Sequence, residues 1–126
     1  MIGACPCGSG DEYSSCCGHY LDDAQLPDTA EQLMRSRYCA YVLRRVDYLL
    51  VTWHAATRPH TIALDAAEHV QWLGLKVIRS QQNADTGVVE FVARHKLNGK
   101  AHRLHEVSQF VKENGRWLYV NGDINH

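Results

Sequence analysis

No stretch of this chain approaches the ~18 to 20 consecutive apolar residues that span a bilayer, and its first residues, Met1 to Cys5, lack the basic and apolar regions of a secretory signal. The expected location is therefore cytoplasmic, with no membrane partner. Lys and Arg are absent from the first 34 residues, which carry six acidic side chains, Asp11, Glu12, Asp22, Asp23, Asp28 and Glu31. The remainder holds 13 basic against 8 acidic residues, or +5. A segment as acidic as the N-terminal one repels phosphate backbones, which argues against nucleic acid as its partner. Internal repeats and low-complexity tracts are also missing, which excludes solenoids and compositional tails. What is present, 45% hydrophobic and 21% charged residues over 126 positions, suffices for one core plus a small appendage.

Residues 3–18 hold four of the five cysteines and four of the nine glycines, with too few apolar side chains to fold without a cross-link or a metal. The run is Cys5-Pro-Cys7, an eight-residue loop containing Gly8 and Gly10, then Cys16-Cys17-Gly18. A reducing cytosol disfavours disulfides, and a bridge within either close pair would strain the preferred geometry. Four thiolates, in contrast, fill the corners of a tetrahedron about 2.3 Å around zinc. The expected cofactor is one structural Zn2+ held by Cys5, Cys7, Cys16 and Cys17, with no position left open for water. The glycines are no phosphate loop, because no Lys-Ser/Thr follows them. Cys39 stands apart. Residues 1–22 read as an independent knuckle and residues 27–126 as the main domain.

Asp28-Thr-Ala-Glu31 offers a helix cap, and Ala30, Met34, Tyr38, Tyr41, Val42 and Arg45 then recur at helical spacing, with Arg37 and Arg44 off that face. Asp47 is expected to cap a second helix, and His54 to His60 reads as a loop. Asp65-Ala-Ala-Glu68 repeats the capping pattern before Val70, Trp72, Leu73 and Gly74, which predicts a short third helix. After Gly74 the period changes to that of strands, the first over about 75–82. Asn98-Gly99 and Asn114-Gly115 are strong two-residue hairpin signals. The expected fold class is α+β, a zinc knuckle followed by helices packed on a curved antiparallel meander.

Counting outward from the two turns pairs Phe91 with Glu106, Val89 with Ser108, Ser108 with Asn121, Phe110 with Tyr119 and Glu106 with Asp123 on one surface. The other surface carries Val88, Val92, Val107, Val111, Leu118 and Val120, apolar enough to serve as a homodimer contact. His95, His102 and His105 do not converge, since His105 points away from the other two.

Cys5-Pro-Cys-Gly-Ser-Gly10, Tyr13 and Cys16-Cys-Gly18 resemble the SEC-C motif found at the C terminus of the preprotein translocase ATPase SecA. Where that motif usually has lysines, this loop reads Asp11-Glu12-Tyr13-Ser14-Ser15. Leu33-Met-Arg-Ser-Arg-Tyr-Cys-Ala-Tyr41, Asp47 to His54, Trp72 to Leu75, Val89 to Arg94 and Phe110 to Tyr119 look like the bacterial YchJ family. The resemblance implies a cone-shaped fold like that of nuclear transport factor two and a bound metal, without naming a reaction. In such cones the concave sheet face and the helices enclose a pocket. The candidate lining residues are Arg35, Tyr38, Tyr41, Trp53 and His54 from the helical half. Phe91, Glu106, Ser108, Phe110, Tyr119 and Asp123 are those from the sheet.

Two functions fit this reading. One is a cytosolic module whose knuckle contacts a protein partner and whose cone binds a small or extended ligand. The other is an enzyme in which Glu106, with His54 or Asp123, performs acid–base chemistry. An inward-facing Glu106 must be paired, with Arg35 or a tyrosine hydroxyl as the expected partner.

Overall fold

A computed structural model describes residues 3–62 and 70–125. The knuckle begins with an extended pair, Ala4 against Glu12, in which Cys5 N donates to Asp11 O at 2.8 Å. A 3-10 turn over Tyr13–Ser15 and a single helical turn, α1 (Gly18–Leu21), follow. Next come α2 (Ala30–Val42) and α3 (Val46–Val51), then four strands: β1 (Val70–Asn83), β2 (Thr86–Leu97), β3 (Lys100–Glu113) and β4 (Arg116–Asn125). The strands form one antiparallel sheet in sequence order. No helix among the described residues is long and apolar enough to cross a membrane.

The cap of α2 is Thr29 rather than Asp28. Thr29 Oγ1 accepts from Gln32 N at 3.1 Å, and Gln32 Oε1 in turn accepts from Asp28 N at 2.7 Å. Asp28 is held by its backbone instead, its carbonyl accepting from Trp117 Nε1. The helix stops at Val42, three residues before the expected Arg45, because Arg44 takes a left-handed conformation (φ 59°). Arg45 N then donates to Ala40 O and Arg44 N to Tyr41 O, which is a Schellman closure. No glycine marks that stop. Asp47 is not a cap either; α3 starts after Arg45, and Asp47 lies in its first turn, 3.5 Å from the Arg45 guanidinium.

The capping pattern at Asp65 to Glu68 lies outside the described residues. Val70, Trp72, Leu73 and Gly74, however, belong to β1 and not to a third helix. Bulges between Trp72 and Gly74 and between Val77 and Arg79 interrupt the alternation. They bring Trp72, Leu75 and Val77 to the core at uneven spacing, which imitates a helical period.

Both asparagine–glycine turns form as expected, pairing Leu97 with Lys100 and Glu113 with Arg116. Positive φ at both central residues (52° and 80°, 53° and 77°) is what favours Asn-Gly there. Phe91 faces Glu106, Val89 faces Ser108 and Phe110 faces Tyr119. Beyond Phe110 the register slips by one, so Ser108 pairs with Gly122 rather than Asn121, and Glu106 with Ile124 rather than Asp123. The irregularity sits at Val120, where an isolated bridge from Trp53 to Tyr119 ties the loop after α3 to β4 through Tyr119 N to Thr52 O and His54 N to Tyr119 O.

Helix α2 is buried nearly all round, which a one-sided apolar stripe does not anticipate. Toward the concave sheet face, Ala30, Leu33, Met34 and Tyr38 pack with Val89, Phe91, Ala93, Phe110 and Trp117. The fit is tight at Gly87, where an added Cβ would come within 2.7 Å of Ala30 Cβ. Toward the knuckle, Cys39 and Ala40 share a second apolar cluster with Cys5, Cys7, Cys17, Tyr13, Leu21 and Leu49. The cysteine segment, read from sequence as a separate unit, thus contributes to a core it shares with both helices.

Candidate functional site

Between α2 and the sheet lies a partly open cavity of about 360 Å³. Half of its lining residues are aromatic: Tyr38 and Tyr41 from α2, Trp72 from β1, Phe91 from β2, Phe110 from β3 and Tyr119 from β4. The rings interlock, with Tyr38 edge-on to Trp72 at 5.5 Å and Phe110 edge-on to Tyr119 at 5.7 Å. Glu106 and Ser108 supply polar groups from β3. Seven of the sequence candidates (Tyr38, Tyr41, Phe91, Glu106, Ser108, Phe110, Tyr119) therefore line one space.

The Glu106 carboxylate accepts two hydroxyls at the same oxygen, Oε2: a short bond from Ser108 Oγ and a longer one from Tyr119 OH at 3.5 Å. Among the described residues no donor bonds Oε1. Room for this carboxylate comes from Gly122 on the neighbouring strand. A Cβ there would meet Glu106 Oε2, and would approach Cδ to 2.6 Å and Cγ to 2.9 Å. A glycine inside a strand often marks such a close approach. Burial, followed by the charge of Glu106, pushes the Tyr119 phenol well above its ordinary value. Burial also raises the Tyr41 phenol, and lifts Tyr38 to about 12. All three hydroxyls thus remain protonated donors at neutral pH.

Four candidates are not in the cavity wall. Arg35 points to the knuckle, donating from Nε to Glu31 at 3.0 Å and from NH1 to Cys7 O at 2.8 Å, so it is no partner of Glu106. Trp53 stands behind Tyr119 at 5.0 Å. His54 is engaged by Glu113 (2.8 Å) and by Ala56 N (3.0 Å). Asp123 is exposed and pairs with Val107, because the slip at Val120 turns it to the convex surface. There Glu90 binds His105 at 2.6 Å and Arg79 at 2.8 Å. His95 stacks on His102 across strands β2 and β3 and lies against Trp72, so His105 stays apart from that pair.

Sequence reasoning missed Arg37, which lines the cavity although helical spacing placed it off the apolar face. It is only 5% exposed. Its NH1 donates to Leu49 O (2.8 Å) and Thr52 Oγ1 (2.7 Å), and its guanidinium lies 5.0 Å from the Trp53 ring and 4.6 Å from the Tyr119 ring. Burial pulls its pKa down, and the faces of two rings, with nearby Glu106, offset that cost. Met34, Ala93 and Leu104 complete the wall.

On the other side of α2 the sulfur atoms of Cys5, Cys7, Cys16 and Cys17 all lie within 4.8 Å of one another. A tetrahedron of about 2.3 Å metal–sulfur bonds has edges of about 3.8 Å. Cys7 to Cys16 measures 3.7 Å and Cys16 to Cys17 4.0 Å, so the four thiols fit a metal ion. The loop is shaped for this. Gly8 and Gly10 have φ of 79° and 92°, and a Cβ on Gly18 would sit 2.8 Å from Tyr13 O. Cys39, fully buried on α2, lies 3.5 Å from Cys5.

Comparison with known proteins supports both halves. Residues 29–122 match the family model described as "YchJ, middle NTF2-like domain" and residues 4–18 the SEC-C motif. The chain belongs to the YchJ family. A UPF0225 protein of Chromobacterium violaceum is 55% identical over 94% of this chain and 91% of its own length. One from Bordetella parapertussis is 56% identical, over 96% and 92%. Among solved structures, a SEC-C motif containing protein from Rhodopseudomonas palustris superposes with a TM-score of 0.86 at 37% identity, covering 97% of this chain and 98% of that one. Another, from Psychrobacter arcticus, gives 0.78 at 28% identity, covering 97% and 82%. The YchJ cone and SEC-C knuckle of this chain are thus shared, as whole architectures, with proteins of several bacteria.

Proposed function

We propose that this YchJ-family chain is a cytosolic binding module whose cone takes a small molecule with an apolar, ring-stacking body and a cationic or N–H donor head directed at Glu106 Oε1. The carrying observation is the aromatic-lined cavity in which one Glu106 carboxylate oxygen has no donor among the described residues. Six aromatic rings around a carboxylate favour an organic cation, through the ring faces as well as the charge. Arg37 gives its NH1 hydrogen bonds to Leu49 O and Thr52 Oγ1 and sets its guanidinium over the Trp53 and Tyr119 rings rather than on the Glu106 carboxylate. The acid–base alternative loses both helpers, because His54 is bound to Glu113 and Asp123 lies outside.

In this reading the knuckle carries one structural zinc, which anchors α2 from behind. Its exposed turn, residues 8–12, presents Asp11 and Glu12 to a basic surface of a protein partner. Thermal shift with a matched pair of probes, phenethylamine and 3-phenylpropionate, tests the cavity. The amine should stabilise the wild type and not Glu106→Gln. Equal responses to both probes, or none, would refute the assignment.

A further inference from the structure

From Phe91 to His105 the chain has four basic residues, Arg94, Lys96, Lys100 and Arg103, and no acidic one. The hairpin register sets Arg94 directly opposite Arg103, and both alternate with Ala93 and Leu104, which line the aromatic cavity. The two guanidiniums therefore rise side by side on the convex face, where like charges repel. On β1 the neighbour of Arg94 is Gly74, and an added Cβ there would meet nothing within 4 Å. The glycine leaves a gap in this cross-strand row, and it lines a second, partly open cavity of about 460 Å³.

Arg94, Arg103 and Lys76 bring three cationic groups to that cavity, and its lining holds no acidic one. Among the described residues, none of the three forms an ion pair or a hydrogen bond through its side chain. The described carboxylates nearest in register stand in a separate row of Arg79, Glu90, Val107 and Asp123, and both oxygens of Glu90 are engaged there, by Arg79 and His105. Beside the cations lie Val92, which is buried, and Leu73 and Ile78, which are 46% and 47% exposed and so offer apolar surface to a ligand.

We propose that this convex-face cavity binds a soluble phosphomonoester with an apolar body. The phosphate sits among Arg94, Arg103 and Lys76, where it removes the repulsion between the two guanidiniums, and the apolar body covers Leu73 and Ile78. Guanidiniums match phosphate oxygens in bidentate pairs, and a lysine adds a point charge. The cavity has the size of a small-ligand site, roughly 300–1,000 Å³. A long polyanion fits less well. It needs cations spaced along a track, whereas these converge on one cavity, and the first 34 residues carry six acidic side chains with no Lys or Arg. The two faces of the sheet thus select ligands of opposite charge, and this site does not depend on the reading of the Glu106 cavity.

The test is a titration of the full chain with phenyl phosphate, followed by backbone amide shifts. Saturable shifts are expected at residues 73–78, 92–94 and 103, and inorganic phosphate should move the same signals with weaker affinity. Arg94→Gln should bind phenyl phosphate about tenfold or more weakly, the loss of one charge-assisted contact. Without ligand its urea midpoint should equal or exceed that of wild type, because a like-charge contact has been removed. Gly74→Val keeps every charge, and the φ of Gly74 lies outside the left-handed region, so a side chain is compatible with the strand. It fills the cavity and should weaken binding as much as Arg94→Gln does. Absence of saturable shifts, equal affinity for inorganic phosphate, wild-type binding by Gly74→Val, or a lowered midpoint for Arg94→Gln would overturn the proposal. So would a single-stranded oligonucleotide, or vesicles of phosphatidic acid and phosphatidylcholine, that bound the same residues more tightly than phenyl phosphate.

Discussion

Gly122→Ala tests how the Glu106 carboxylate is held. The φ of Gly122 is not in the left-handed region, so alanine is compatible with the backbone. The added methyl, however, occupies the space of the carboxylate, approaching Cδ to 2.6 Å. Glu106 must swing into the cavity and give up the Ser108 hydroxyl. A hydrogen bond to a charged group contributes about 1.5–3 kcal/mol, whereas Gly→Ala at a compatible site returns about 0.4–1 kcal/mol through the unfolded chain. The net expectation is about 1–2 kcal/mol of destabilisation, or about 4–8 °C in Tm for a domain of this size. The decisive assay is a double-mutant cycle with Glu106→Ala by urea denaturation. Once the carboxylate is gone, Gly122→Ala has room and should be neutral or stabilising, leaving a coupling of about 1–2 kcal/mol. An equal cost in both backgrounds would mean that Gly122 serves the strand alone and would refute the reasoning.

Three further perturbations probe the rest of the molecule. Leu49→Ala, at a fully buried position between the knuckle and the helices, should cost about 2–5 kcal/mol in a single cooperative transition; separate melting of knuckle and cone would contradict the shared core. Stripping metal with a chelator should lower the Tm of the whole chain, because structural zinc contributes on the order of 10 kcal/mol in finger peptides and total stability is of the same order; amide spectra that change only in residues 3–18 would show that the two parts are independent. Burial, and then His102, hold the His95 pKa below its ordinary 6.5. The unfolded state therefore binds the proton first, and the stability contributed by neutral His95 is present above about pH 6.5 and lost as pH falls below it. The urea midpoint should drop between pH 7.5 and 5.5, less steeply in His95→Gln, and identical slopes would exclude this residue as the source.

Local chemistry was enough to read much of this protein. Paired cysteines around a glycine-containing loop specify a SEC-C knuckle whose four thiols could hold a metal ion, because few other side chains there could hold it together. Asn98-Gly99 and Asn114-Gly115 set two hairpins because their backbones need positive φ at both central residues. From those turns the facing of Phe91 with Glu106 and Phe110 with Tyr119 follows by counting. Tertiary contacts decided what counting cannot reach. The slip at Val120, where the loop after α3 docks on Tyr119, put Gly122 rather than Asn121 opposite Ser108 and removed Asp123 from the cavity. Arg37 and Cys39 do not announce themselves at helical spacing, because α2 is covered on several sides and has no solvent stripe to mark its faces. Their roles come from partners distant in the chain, Trp53 and Tyr119 for one and Cys5 for the other, which only the packing of knuckle, helix and sheet brings within reach.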